Sequence, residues 1–191
     1  MILKIYQTVS KTPPKGKPYS VPIFSERLVI NNKVIYEPWL ADGYYFWESF
    51  VDNAISWGNS HYNGNYDIYE GTYDTSDPKC FNLVDNPECI TLVRDAYKTI
   101  VNQKKRKPTQ LNQILYFLRK NHSFQSNFEF VRVPAEGGMR NGEELRFDNN
   151  SSSSYYLIRQ TQICFWTKRS EIQNLVKYSS ESPADNNDWM A

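Results

Sequence analysis

The chain reads as an α+β protein. Short alternating apolar segments stand at both ends, two stretches with three-to-four-residue apolar spacing lie between them, and there is no internal repeat or regular strand–helix alternation. The opening segment ILKIYQTV alternates apolar and polar residues with β-branched enrichment, which predicts a strand. KTPPKGKPYSVP follows with four prolines and a glycine, a loop or extended segment barred from a sheet interior. RLVINNKVIYE predicts a hairpin turning at Asn31-Asn32, because asparagine tolerates the positive φ of a tight two-residue turn. GYYFWE, Gly43 to Glu48, predicts a strand with Tyr44 and Phe46 on one face and Tyr45 and Trp47 on the other. SFVDNAISWGN sets Phe50, Val51, Ala54, Ile55 and Trp57 near one face of a short helix, with Ser49 as the expected N-cap.

YDIYEGTYD returns to strand alternation, and NLVDNPECITLVRDAYKTIVNQ has helical spacing, starting near Asn86 with Pro87 in the first turn. KKRKP reads as a solvated basic turn rather than a nucleic-acid patch. TQLNQILYFLRK predicts a second helix with Leu111, Ile114, Leu115 and Leu118 on its core face. FEFVRVPAEGG and YLIRQTQICFW restore strands; GMRNGEELRF between them lacks phosphate-loop spacing and reads as a turn, and DNNSSSSYY as a mobile loop. One domain is expected over residues 1–178, with a disordered polar tail over 179–191.

Lysines and arginines nearly balance the acids, leaving a net charge of +1, so no global field recruits nucleic acid or anionic lipid. No apolar run approaches the roughly 20 residues that span a bilayer, and MILKIYQTVSKTPP lacks the apolar stretch and cleavage site of a signal peptide, so a cytoplasmic protein without membrane contact is expected. Three cysteines, Cys80, Cys89 and Cys164, with only two histidines, read as free thiols in a reducing compartment and not as a metal site. His61 reads as a loop residue, and His122 as a charge partner at a helix C-terminus.

PWLADGYYFWE packs five aromatic rings into eleven residues. Alone it is either an aromatic strand or the wall of a pocket for a flat ligand. Its company points to the second. Tyr6-Gln7-Thr8 on the first strand, Trp39 to Glu48 with Ala54 and Trp57-Gly58 behind, Cys80-Phe81-Asn82-Leu83, Glu136-Gly137 and Gln162-Ile163-Cys164 follow one another in an order that resembles the ADP-ribosyltransferase-like superfamily, and more closely bacterial proteins of that fold. There the corresponding stretches read approximately Tyr-His-Gly, WLGxGxYFWE followed by alanine and WA, CLDL, EG and QIC. Residues 109–128, a helical insertion, and the tail lie outside the resemblance.

The resemblance implies two small sheets packed face to face with flanking helices, NAD bound in the cleft between them, and transfer of ADP-ribose to a macromolecular acceptor, protein or nucleic acid, as in a toxin or defence effector. It implies Tyr6, Gln7, Thr8, Gly43, Tyr44, Tyr45, Phe46 and Trp47 as the NAD-binding set, with Tyr45 against nicotinamide. Cleavage of the nicotinamide–ribose bond passes through an oxocarbenium-like state that needs an oxygen acceptor nearby. Glu136 and Gln162 are the matched catalytic candidates, with Glu48 next. Two positions depart from the pattern: Gln7 replaces a ribose-holding histidine, and Gln160-Thr161-Gln162 lacks the carboxylate of many transferases. They leave open a non-catalytic member that uses the cleft for recognition, beside an interaction domain whose exposed aromatics bury a protein partner.

Overall fold

The computed structural model describes residues 1–12, 20–104, 108, 110–135, 144–146, 154–156 and 160–179. In chain order these form β1 (Ile2–Ser10), β2 (Phe24–Ser25), β3 (Leu28–Ile30), β4 (Lys33–Tyr36), β5 (Gly43–Glu48), α1 (Val51–Tyr62), β6 (Tyr66–Asp74), β7 (Cys80–Asn82), α2 (Pro87–Lys104), α3 (Leu111–Leu118), α4 (His122–Asn127), β8 (Phe130–Pro134), β9 (Glu144–Arg146), β10 (Ser154–Tyr156), β11 (Thr161–Phe165), a 3-10 turn (Ser170–Ile172) and β12 (Val176–Lys177). The α+β class is as expected.

Instead of two separate sheets, the strands form one eight-stranded ladder in the order β12-β6-β1-β5-β11-β8-β7, with β2 also on β5; β3-β4 and β9-β10 are separate two-stranded ribbons. The ladder is uneven. β1 and β6 pair along their whole length, Ile2↔Asp74 to Ser10↔Tyr66, whereas β1 meets β5 only at Ile5↔Glu48 and Tyr6↔Trp47. Further back along β5 the neighbour is β2, at Phe24↔Tyr44 and Ser25↔Gly43. The strands thus divide into two halves, β12-β6-β1 and β5-β11-β8-β7 with β2, joined by two register pairs.

Strand alternation sorts the side chains. One face carries Tyr6, Trp47 and Ile68 against Ala54 of α1, and beside them Phe81, Val131, Val133 and Cys164 against Cys89, Ala96 and Ile100 of α2, Ile114, Leu115 and Leu118 of α3 and Phe124 of α4. The expected helical insertion thus supplies core residues. The other face carries Ile5, Phe46, Tyr73, Phe130, Ile163 and Phe165, covered by Ile172 and Leu175.

Local chemistry explains most boundaries. Asn31 and Asn32 sit at φ 49° and 61°, the two left-handed positions of a type I′ turn, and make the β3-β4 hairpin as expected. Asn86 Oδ1 accepts from the backbone N–H of Glu88 and Cys89 at 2.9 and 3.2 Å and caps α2. Ser49 does not cap α1. It stands at φ 62° between Glu48 and Phe50, the Phe50 N–H donates to Glu48 O at 2.7 Å, and Phe50 is the N-cap without a side-chain bond. The chain has no spare residue between strand and helix, so Ser49 is taken up by a γ-turn. His61 lies in the last turn of α1, and His122 opens α4 and so does not close a helix. β9 replaces part of the expected turn and β10 the end of the expected loop. The remainder of those two segments, most of KKRKP and residues 180–191 of the tail lie outside the described residues.

Candidate functional site

The expected ligand-binding residues gather around the joint between the half-sheets, and the structure gives most of them demanding local work. Gln7 lies where β1 departs from β5. Its Nε2 donates to Ile23 O at 3.1 Å and to Tyr45 O at 3.2 Å, and its Oε1 accepts from the Ile23 N–H at 2.7 Å. The amide thus replaces ladder bonds that the splayed strands cannot make. Thr8 Oγ1 donates to Ala54 O at 2.7 Å and ties α1 to β1. Tyr6 is buried against Trp47 and Ile68, edge-on to Tyr178.

Along β5, Gly43 is buried where a Cβ would lie 2.6 Å from Phe165 O, so its missing side chain admits β11. Tyr44 packs edge-on to Phe24, and Phe46 is wholly within the core beside Phe165. The Tyr45 hydroxyl accepts from the Leu40 N–H at 2.8 Å and donates to Ala41 O at 2.7 Å, stapling the preceding turn, and burial raises its pKa. That turn holds Ala41 at φ 66° with no exposed surface. Ala41 stands where the resembled pattern WLGxGxYFWE has its first glycine, and φ 66° is a conformation that glycine adopts at least cost.

Gln162 on β11 pairs across the ladder with Trp47 and is 7% exposed. Its Oε1 accepts from the indole N–H of Trp39 at 2.7 Å. Trp47 meets Trp57 of α1 at 6.3 Å between rings, and Trp57 stacks on His61 at 3.5 Å with the planes 14° apart. His61 is exposed, and its Nδ1 lies 3.2 Å from Trp57 O. Trp39, Gln162, Trp47, Trp57 and His61 therefore form a continuous wall, running from α3's neighbourhood across the joint to α1, with one carboxamide set among aromatic rings. Of these, Trp39, Trp57 and His61 fell outside the expected ligand set. The Trp39–Gln162 bond spans 123 positions of sequence, and no local pattern announces it.

Glu48, the reserve acid, is committed elsewhere. Strand alternation turns it to the sheet face opposite Trp47, where it accepts from Arg132 Nε at 2.7 Å and Nη2 at 2.9 Å and from the Tyr73 hydroxyl. Asp85 takes Arg132 Nη1 at 2.9 Å. Burial opposes the Arg132 cation, but the bonds and charge of Glu48 outweigh it and raise its pKa. Glu136, the other catalytic candidate, lies outside the described residues. Among the described residues, no cluster of three or more His, Cys, Asp or Glu is placed to hold a metal ion, and no helix is long and apolar enough to cross a membrane. No family model matches the sequence, and no curated protein or solved structure matches it either.

Proposed function

We propose that the chain binds NAD over the aromatic wall at the joint and transfers ADP-ribose to a macromolecular acceptor in the manner of the ADP-ribosyltransferase-like superfamily. The observation that carries the reading is the wall itself: flat rings for a planar base, with a single buried carboxamide at their centre, at the junction of two half-sheets. The left-handed backbone at Ala41, in the position of a pattern glycine, supports the same resemblance. In this reading Trp39 and Trp57 supply the accessible ring surface, buried Trp47 backs it from the core, Gln162 is the polar contact, Tyr6, Thr8, Gly43 and Tyr45 hold the backbone around it, and Gln7, Tyr44 and Phe46 support it from the other face of the sheet. Glu136 would supply the acceptor for the cationic transition state. Calorimetric titration of the full chain with NAD, followed by mass spectrometry of a lysate incubated with the protein and NAD, tests it; absence of both heat and ADP-ribose adducts overturns it.

One observation favours a recognition module using the same aromatic wall. Gln162 is neutral and Glu48 is tied to Arg132 and Tyr73, so these two provide no free carboxylate at the wall. Binding of NAD without cleavage, unchanged in Glu136→Gln, would select that reading over the transferase.

A further inference from the structure

The β3-β4 hairpin leaves six large apolar side chains in solvent. Leu28, Val29, Ile30, Val34, Ile35 and Tyr36 range from 44% exposed at Val34 to 59% at Ile35. Val29 stands opposite Val34 on one face of the ribbon, and Leu28, opposite Tyr36, shares the other face with Ile30, so both faces are apolar and open. Half-exposed side chains of this size present a patch on the order of 600 Å2, at the upper end of what a monomer carries. One partner of a standard interface contributes about 800 Å2. The hairpin alone thus supplies most of one side of a stable interface.

Its base is fastened to the body of the protein. The Arg27 N–H donates to Asp42 Oδ1 at 2.7 Å, the Tyr116 hydroxyl donates to the same oxygen at 3.1 Å, and Arg27 Nε lies 3.5 Å from Glu37 Oε1. Its tip is polar, with Asn31, Asn32 and Lys33 all exposed. A hairpin entering a bilayer would carry that tip and the unpaired outer edges of both strands into hydrocarbon, so a folded protein surface fits the ribbon better than lipid does.

The sequence of β4 names the partner. In the hairpin Leu28 faces Tyr36 and Val29 faces Val34, which leaves Ile35 as an extra residue with no opposite number. The outer edge of β4 carries no strand. Laid antiparallel to the same strand of a second copy, about a two-fold axis at Ile35, the segment from Lys33 to Glu37 complements itself: Ile35 meets Ile35, Val34 meets Tyr36, and Lys33 meets Glu37 at both ends. Centred in the same way on Leu28, β3 would set Arg27 against Val29 and Glu26 against Ile30, and has no such complement.

We propose that the chain associates with a second copy of itself through the β3-β4 hairpin, with β4 antiparallel to its counterpart and Ile35 on the two-fold axis. The proposal does not rest on NAD binding. Sedimentation equilibrium of the full chain tests it. The wild type is expected to form a dimer at micromolar concentration, and Ile35→Lys, which sets two like charges on the axis, should weaken that dimer about a hundredfold or more with thermal melting unchanged. Lys33→Glu places acid against acid at both ends, and Glu37→Lys base against base, so each variant alone should lose about tenfold or more in self-association. An equimolar mixture of the two restores both opposite-charge contacts and should form a heterodimer as readily as the wild type dimerises. A mixture as weak as its components overturns the proposal, and so does a dimer untouched by Ile35→Lys and the charge variants. A monomeric wild type overturns it as well, and binding of that monomer to vesicles of phosphatidylcholine and phosphatidylglycerol would assign the hairpin to lipid instead. If Glu37→Lys, which loses its Arg27 contact, does not fold, Lys33→Glu and Ile35→Lys decide: weakened association supports the proposal and wild-type association overturns it.

Discussion

Arg132 grips Glu48 with two nitrogens, at 2.7 and 2.9 Å, from a strand 84 residues away, and both side chains are nearly buried. Removing one partner leaves the other as an uncompensated buried charge, which typically costs 3–5 kcal/mol. Arg132→Met should lower stability by about that amount in urea unfolding, and combining it with Glu48→Gln should recover part of the loss. A single variant within about 1 kcal/mol of the wild type would show the pair to be far better hydrated than its burial indicates.

Gln7 makes three bonds with one amide, and an imidazole of the same reach cannot donate twice and accept once from those groups. Gln7→His should therefore destabilise by about 1–3 kcal/mol through stranded Ile23 and Tyr45 backbone groups. A His variant that melts like the wild type and binds NAD more tightly would instead return this position to ribose recognition.

Ala41 offers a comparison within one protein. At φ 66° a Cβ costs about 1–2 kcal/mol, which offsets the buried methyl and chain entropy that glycine would lose. Ala41→Gly should change stability by less than about 1 kcal/mol, while Ala54→Gly, in α1 with its methyl equally buried, should cost about 1–2 kcal/mol. Equal losses at the two positions would remove the strain argument.

Burial pushes the Cys80 thiol up to about 12 and raises Cys164, Tyr45 and Tyr73 as well. These groups stay protonated in the folded chain while the unfolded chain releases its protons from about pH 9 upward, so the stabilising difference is complete below that pH and is lost as pH rises towards 12. Each contributes a slope of about 1.4 kcal/mol per pH unit within its own window. Urea midpoints should fall steeply above pH 9, and a thiol reagent at pH 7 should react with these buried cysteines only at the rate of unfolding. Rapid labelling of Cys80 or Cys164 in the native state would contradict this.

Local chemistry made much of the fold readable in advance. The Asn31-Asn32 turn, the Asn86 cap and the β5 alternation each depend on neighbours within a few residues. What escaped depends on distant partners or on segments too short for a period: α4 has six residues and is capped by Asn121, while β12 has two and exists because β6 offers it an edge. The site divides in the same way. The aromatic block stood out as composition, but only the folded chain shows that Tyr45 staples a turn, that Gln7 fills a gap between strands, and that Trp39 reaches Gln162.

The two register pairs between β1 and β5 have a mechanical consequence. A sheet bends most easily where the fewest rungs must change, and here that line passes beneath the aromatic wall, with Tyr6 and Thr8 on one side and Gln162 on the other. Across that line the halves are tied by the Gln7 amide, by the Ser49 N–H bond to Lys4 O at 2.9 Å and by the Tyr73 hydroxyl on Glu48, with the Thr8 bond to α1 beside them. Any load placed across that line falls on those bonds directly, so the stiffness of the joint is set by a few side chains and not by the length of the sheet.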